Sequence, residues 1–451
     1  MAESVLRQRM DALRRLARRG AVAPLAKAVA KMRAEDVAVA VAHMSAAEQR
    51  LVFAQIRVDH TAAEVLTRVE GEDFLHLVND LPVERLLVLV NELKADDRTD
   101  LLERLPAEQR EGVLARLHKE ERAEVEELLG YRPDSAGGIM LPYAFRLQED
   151  VTCRDAIAAV QEAADHELIY YLYVDNDAGQ LSGVVSLRAL LTHPPSTRLS
   201  MIMSTDIIAV SPETDQEEVA KITGRYSLLA VPVVDEQRRL LGIVTVDDVI
   251  DVIREEAAED MLLMAGVSEE AADPSRSSRL SAATKRFPWL LVTLIGGIGI
   301  SELVSRFSHT LEAEVVLAAF MPMITGMGGN VGVQSATIAV RNLATGQGEG
   351  GSWRSVVREV VVGNILGVAF SLLIGAYCLA RYGSPLVAVC VGAALLTAIT
   401  VAAMVGTAVP LSLRRLGVDP AIATGPFVTT AIDALGLTLY LGIASLLLGR
   451  I

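Results

Sequence analysis

GPFVTTAIDALGLTLYLGIASLLLG, residues 425–449, reads as one apolar membrane segment that carries a carboxylate, Asp433. About 20 predominantly apolar residues suffice to cross the hydrocarbon core of a bilayer. An acid inside such a helix costs about 2.5–3.5 kcal/mol on insertion scales. The segment holds no Lys or Arg to pair with it. A lone intramembrane acid points to a functional site: burial is tolerated where the group faces water or a cation, and a divalent cation supplies two compensating charges. The competing reading is a protonated acid in a seam between helices. Thr429, Thr430 and Asp433 recur at helical spacing and share one face.

Four further apolar segments precede this one. The five cover about 287–307, 315–341, 356–380, 385–413 and 421–449, each long enough to span. Lys285 and Arg286, then Arg341, Arg354 and Arg358, then Arg414 and Arg415 fall on one side, against Arg306, Arg381 and Arg450 on the other. The positive-inside rule puts the first group in the cytoplasm and the C-terminus outside. The second segment, FMPMITGMGGNVGVQSATIAV (320–340), holds Pro322, Gly326, Gly328, Gly329, Asn330, Gly332, Gln334 and Ser335. Glycine at this density weakens a helix and lets backbones approach closely. A tight seam of small residues explains the glycines. Asn330 and Gln334 exceed what a seam needs, and the expectation is a polar pathway.

The remaining chain is of another kind. Of 451 residues, 51% are hydrophobic and 22% charged, with net charge −15; mean hydropathy is +0.35. Fifty acids and thirty-two bases precede Lys285, so a soluble acidic block is joined to a slightly basic membrane block. Such a block repels nucleic acid; it suits cations, or serves solubility alone. Cys153, Cys378 and Cys390 are too few for a disulfide framework and lack metal-ligand spacing. MAESVLRQRMDALRRLARRG has no apolar core of a secretory signal, which predicts a cytoplasmic acidic block.

Residues 1–132 read as all helix. A phrase recurs at MSAAEQR (Met44), LPVER (Leu81) and LPAEQR (Leu105), which predicts stacked short helices. From near Gly137 the period changes. IYYLYVDNDAGQLSGVVSLRALL (from Ile169) and LLAVPVVDEQRRLLGIVTVDDVI (from Leu228) share a plan of short strand, Asp-led turn, strand and helix. This resembles a tandem pair of CBS domains, 133–200 and 201–252. In that family Gly-h-h-Thr-x-x-Asp often holds a ribose. Gly242, Thr245 and Asp248 fit, whereas the first copy has Gly183, Ser186 and Ala189, so one nucleotide site at most is implied. Residues 253–284 then form an acidic connecting helix and linker. Asp247, Asp248, Asp251, Glu255, Glu256, Glu259 and Asp260 crowd the approach, with Arg254 their only base. Like charges at i,i+3 and i,i+4 destabilise a helix. A solvated face is one reading, and an external cation that bridges the acids is the other.

Over essentially its whole length the chain resembles the MgtE family of magnesium channels. The resemblance rests on Pro322-x-x-x-Gly326-x-Gly328-Gly329-Asn330-x-Gly332-x-Gln334-Ser335 and on RRLGVDPA, GPFVTT, Asp433 and Gly436 in order. It implies a multidomain fold: an all-α superhelical N-domain, an α+β CBS pair and a five-helix membrane domain at 285–451. It implies a homodimer in the cell membrane that takes up Mg2+ along the dimer axis. Asp433 would then be the selectivity acid, with Thr429, Asn330 and Gly329 beside it and Asp419 near the cytoplasmic mouth. Mg2+ surrenders its waters reluctantly, which suits one or two carboxylates. The resemblance further implies cytosolic Mg2+ sensing by Asp248, Asp251, Glu256, Glu259, Asp260, Glu217, Asp97 and Glu64, and ATP or another adenine nucleotide at Thr245 and Asp248. Ser227 stands where an acid is expected. Two rivals stay open: an ion-coupled carrier for Mg2+, Co2+ or Mn2+, and a nucleotide-gated membrane receptor. No Ser/His/Asp set, His/Cys cluster or Walker loop suggests an enzyme.

Overall fold

A computed structural model describes residues 2–69, 71–163, 169–267, 279–344 and 353–448. The chain divides into two compact units, Met1–Glu256 and Ala257–Ile451.

The first unit begins with ten helices, from α1 (Ala2–Arg18) and α2 (Val22–Val29) to α10 (Lys119–Leu128). The recurring phrase starts helices, as its chemistry requires. Ser45 opens α4 (Ala46–Phe53) with a capping box, its backbone N–H donating to Glu48 Oε2 at 2.9 Å. Pro82 and Pro106 open α7 (Val83–Asn91) and α9 (Ala107–Leu114) at φ −66° and −52°, close to the angle the ring fixes. Each short helix turns one stripe inward, and Leu13, Leu25, Val37, Leu66, Leu86 and Leu101 are fully buried in one continuous core. Burying such a side chain contributes about 1.5–3 kcal/mol, which no isolated helix of eight to ten residues could supply alone.

The repeated strand plan follows. β1 (Arg146–Gln148) pairs parallel with β2 (Tyr171–Asp175), and β2 pairs antiparallel with β3 (Leu181–Ser186). β4 (Ala230–Val234) pairs antiparallel with β5 (Leu240–Thr245). In both copies the glycine of the Gly-h-h-Ser/Thr strand is dictated by sterics. A Cβ on Gly183 would lie 2.3 Å from Met203 Sδ, and one on Gly242 would lie 2.4 Å from the Leu141 carbonyl. β5 runs directly into α14 (Val246–Met264), the acidic helix. The unit boundary falls within that helix.

Among the described residues, five helices of the second unit are long and apolar enough to cross a membrane. They lie within α15 (Arg279–Ser305), α17 (Met321–Ala344, preceded by a 3-10 turn at Val315–Phe320), α18 (Trp353–Tyr382), α19 (Pro385–Arg415) and α20 (Pro426–Leu448). A short α16 (Ser308–Ala313) follows the first. α19 forms the centre of the bundle: 61% of its most apolar stretch is buried, against none of α15's. Small residues set these crossings. A Cβ on Gly363 would meet Ala403 at 2.6 Å, and one on Gly367 would meet Leu396 at 2.8 Å, so α18 lies close along α19. The glycine-rich α17 is one unbroken helix; packing against its neighbours offsets the weak propensity of its glycines.

Candidate functional site

In the membrane unit the glycine motif and the lone acid meet. The Asp433 carboxylate is half-buried on α20, with Oδ1 3.9 Å from where a Cβ on Gly329 would stand. The two helices can approach because a Cβ on Gly332 would lie 2.1 Å from Ile432 Cδ1. α19 approaches the same glycine: a Cβ on Gly406 would stand 2.3 Å from the Gly332 carbonyl oxygen. Gly328, Gly332 and Gly436 are buried at these crossings, whereas Asn330 and Gln334 turn outward and are exposed. Thr429 and Thr430 sit one turn before Asp433, half-buried. Tyr440 lies seven residues beyond the acid on the same face; fully buried, it donates to the Leu317 carbonyl at 2.8 Å and pins the 3-10 turn ahead of α17. Asp419 is exposed at the start of the turn Pro420–Thr424, where its Oδ1 accepts from the Ala421 N–H at 2.8 Å. One carboxylate oxygen is thereby used in capping.

A second acidic site lies within the first unit. A cavity of about 1140 Å3 opens between the helical array and the second strand pair. α5 (Asp59–Arg68) brings Glu64 to it, α8 (Ala95–Arg104) brings Asp96, Asp97 and Asp100, and α14 brings Asp247, Asp248, Asp251 and Glu255. Lys94, Arg68 and Arg98 are the bases in its wall. Asp96 is only 8% exposed, and its Oδ1 has no hydrogen-bond partner. Burial, then the charges of Asp97 and Asp248, push its carboxyl up to about 8. Burial, then Asp97 and Glu103, push Asp100 up to about 7. Burial also raises Asp97, against the pull of Lys94 and Arg68. Asp248 rises to about 6 through burial and the neighbouring Asp247, although a hydrogen bond from Thr245 opposes the shift. The Thr245 hydroxyl, 1% exposed, stands 2.5 Å from Asp247 and is also within reach of Asp248, but its one proton can serve only one of them. A low-dielectric cavity crowded with like charge favours protons or cations. Among the described residues no three of these groups stand at metal-ligand spacing.

The expected sensor residues divide. Glu64, Asp97, Asp248 and Asp251 line the cavity. Glu256 lies beyond its wall and accepts from Gln216 Nε2 at 2.7 Å. Glu217 is paired with Lys221 at 2.7 Å, outside the cavity. Glu259 and Asp260 belong to the second unit, where a Cβ on Gly425 would lie 3.7 Å from the Leu263 carbonyl, so the end of α14 reaches the turn before α20. Ser227 closes α13 (Gln216–Tyr226) in a left-handed conformation, φ 53°. Asp96 and Asp100 were missed as site residues, although the i,i+4 spacing in KADDRTD is a legible signal for a shared face. A second cavity, about 270 Å3, lies between the two strand pairs and is lined by Tyr171, Tyr173, Ser186, Ser204 and Asp206, among others. Tyr173 lines both cavities; the residue is 1% exposed and its hydroxyl has no hydrogen-bond partner.

Residues 321–443 match a family model described as a divalent cation transporter, 32–134 the MgtE intracellular N domain and 199–255 a CBS domain. The magnesium transporter MgtE of Thermus thermophilus is 41% identical over 329 residues, 72% of this chain and 73% of that protein. Its namesake from Enterococcus faecalis is 39% identical over 72% and 71%, respectively. The crystal structure of the cytosolic domain of the Mg2+ channel MgtE in complex with ATP is 35% identical with a TM-score of 0.50, covering 54% of this chain and 99% of that one.

Proposed function

The chain belongs to the MgtE family of magnesium transporters, and on that premise we propose that it conducts Mg2+ through the membrane unit under the control of Mg2+ bound in the cytosol. The observation that carries the proposal is the meeting of Asp433 with Gly329: a carboxylate with no base in its helix, set against a backbone bared of side chains. Thr429 completes the constriction in this reading, and Asn330, outward-facing in the single chain, would reach it across the dimer interface. Mg2+ passes with most of its water shell in place, held by few carboxylates and by hydroxyl and carbonyl oxygens. Asp419, with one oxygen left after capping, is the ligand at the cytoplasmic mouth. The functional form is a homodimer in the cell membrane, with its N-terminal domains cytosolic and its C-terminus external. Transport rather than catalysis is the role of the named relatives.

Control follows from charge. Two carboxylates 4 Å apart repel by about 4 kcal/mol at an effective dielectric near 20. When Mg2+ is scarce this repulsion loosens the acidic cavity, and when it is abundant bound ions draw α5, α8 and α14 together. Glu64, Asp97, Asp248 and Asp251 take part in this reading, joined by Asp96 and Asp100. Glu256 and Glu217 extend the acidic surface of the first unit, and Glu259 and Asp260 continue the acidic run of α14 into the second. The bound state of the cavity and the conducting state of the pore are then coupled, so transported Mg2+ limits its own entry.

An adenine nucleotide fits the strand-pair region on one count: a cavity of about 270 Å3 lies between the two strand pairs, with Tyr171, Ser204 and Asp206 in its wall. Tyr171, Ser204 and Asp206 would hold it there; Thr245 and Asp248, the positions the resemblance implied, line the acidic cavity instead. The nucleotide would add ordering between the strand pairs.

The test of control is flux in proteoliposomes at rising internal Mg2+. Wild type should close. A variant with Asp248→Asn, Asp251→Asn, Glu259→Gln and Asp260→Asn should stay open. Inhibition that survives in the variant refutes the sensor assignment.

A further inference from the structure

The first 33 residues invert the charge of the block they belong to, with nine Lys and Arg against only Glu3 and Asp11. Elsewhere in the helical array most bases are neutralised: Arg68 pairs with Glu35, Arg85 with Asp59 and Arg122 with Glu126. At the start, Arg18 meets Glu48 at 3.0 Å. Arg9, Arg14, Arg15 and Arg19, and Lys27 and Lys31 after them, are exposed and have no ion pair among the described residues. The apolar side of α1 is already spent, because Leu13 and Ala17 are buried in the domain core. What remains outward is positive charge without a hydrophobic groove.

We propose that this face of α1 and α2 docks on the anionic headgroups of the leaflet to which the chain is tethered. Three observations favour lipid over other polyanions. Val22 is the one large apolar side chain exposed among residues 7–33, so the surface is chiefly charge, which a headgroup layer satisfies and a protein partner normally supplements with apolar contact. Residues 1–33 contain no Phe, Tyr or Trp on which unpaired bases could stack. The membrane helices of the same chain hold the domain near a bilayer, so the encounter is intramolecular and favoured by a high effective concentration. The inference does not depend on which cation passes the pore. It rests only on the cytosolic side of the first unit, where leaflets are negatively charged.

The experiment uses the full chain in nanodiscs of phosphatidylcholine, with or without phosphatidylglycerol, and reads amide hydrogen exchange in α1 and α2. Exchange should slow about five-fold or more with the anionic lipid, and the slowing should vanish at high salt. It should also vanish in a variant carrying Arg9→Gln, Arg14→Gln, Arg15→Gln and Arg19→Gln. Unchanged exchange in α7 and α8 certifies that the variant is folded; if it is not, Arg14→Gln with Arg15→Gln should reduce the slowing in part. Equal exchange in the two lipids overturns the proposal. So does slowing produced by added RNA but not by phosphatidylglycerol.

Discussion

Replacing Asp96 by Asn should make the first unit more stable without Mg2+ and less responsive to it. The sign follows from the raised carboxyl. Its folded-state value of about 8 lies above the unfolded 3.8, so the bound proton stabilises the fold. That stability is present in full below about pH 4 and is lost as pH climbs through about 8. At about 1.36 kcal/mol per unit, the ionised carboxylate costs at most about 5 kcal/mol near pH 8. Relaxation and water entering the cavity reduce that to about 2–3 kcal/mol. Asn keeps the shape and removes the charge. Thermal unfolding of the full chain in detergent should therefore show the variant melting about 5–10 °C higher near pH 8, with the gap closing toward pH 5. Added Mg2+ should raise the wild-type midpoint and close most of the difference, because a cation supplies what the mutation removed. An unchanged apo midpoint, or a Mg2+ response as large as wild type, would refute the reasoning.

Mg2+ affinity of the cytosolic cavity, measured by titration calorimetry, should rise with pH between about 6 and 8 as Asp248, Asp100 and Asp96 give up protons; a flat profile contradicts competition between proton and cation. Gly406→Val places side-chain carbon against the Gly332 carbonyl, 2.3 Å from a Cβ, and should cost about 1–3 kcal/mol or more, seen as loss of monodisperse protein on size exclusion. Tyr440→Phe removes the buried donor to Leu317 and should cost about 1–3 kcal/mol in thermal stability. An unaltered melt would mean that the Leu317 carbonyl finds another donor.

Much of this architecture was legible because it rests on periodicity. Five apolar stretches gave five helices, and the repeated Ser- and Pro-led phrase gave helix starts at Ser45, Pro82 and Pro106. In the residues alone Asp433 and the glycine motif are two separate anomalies; the family resemblance implied Gly329 beside the acid, and that proximity depends on how α17 and α20 cross. The acids of α14 leave a trace in sequence as like charges at helical spacing, open between a solvated face and a bridging cation, but the cavity they line depends on how α5, α8 and α14 pack. Asp96 and Asp100 were passed over because their importance comes from burial, and an Asp on a polar helix gives no local sign of being covered. Glu217 shows the converse. Its acidic context is visible, but a lysine one turn away on the same helix satisfies it.

The central claim is that Asp433 is needed for the ion and not for the fold. Reconstituted protein loaded into proteoliposomes, wild type beside Asp433→Ala, tests it through Mg2+ entry read by an internal indicator. The account predicts wild-type flux and near-complete loss in a variant that remains monodisperse and melts at a similar or higher temperature. Undiminished Mg2+ entry through the well-folded variant would contradict it.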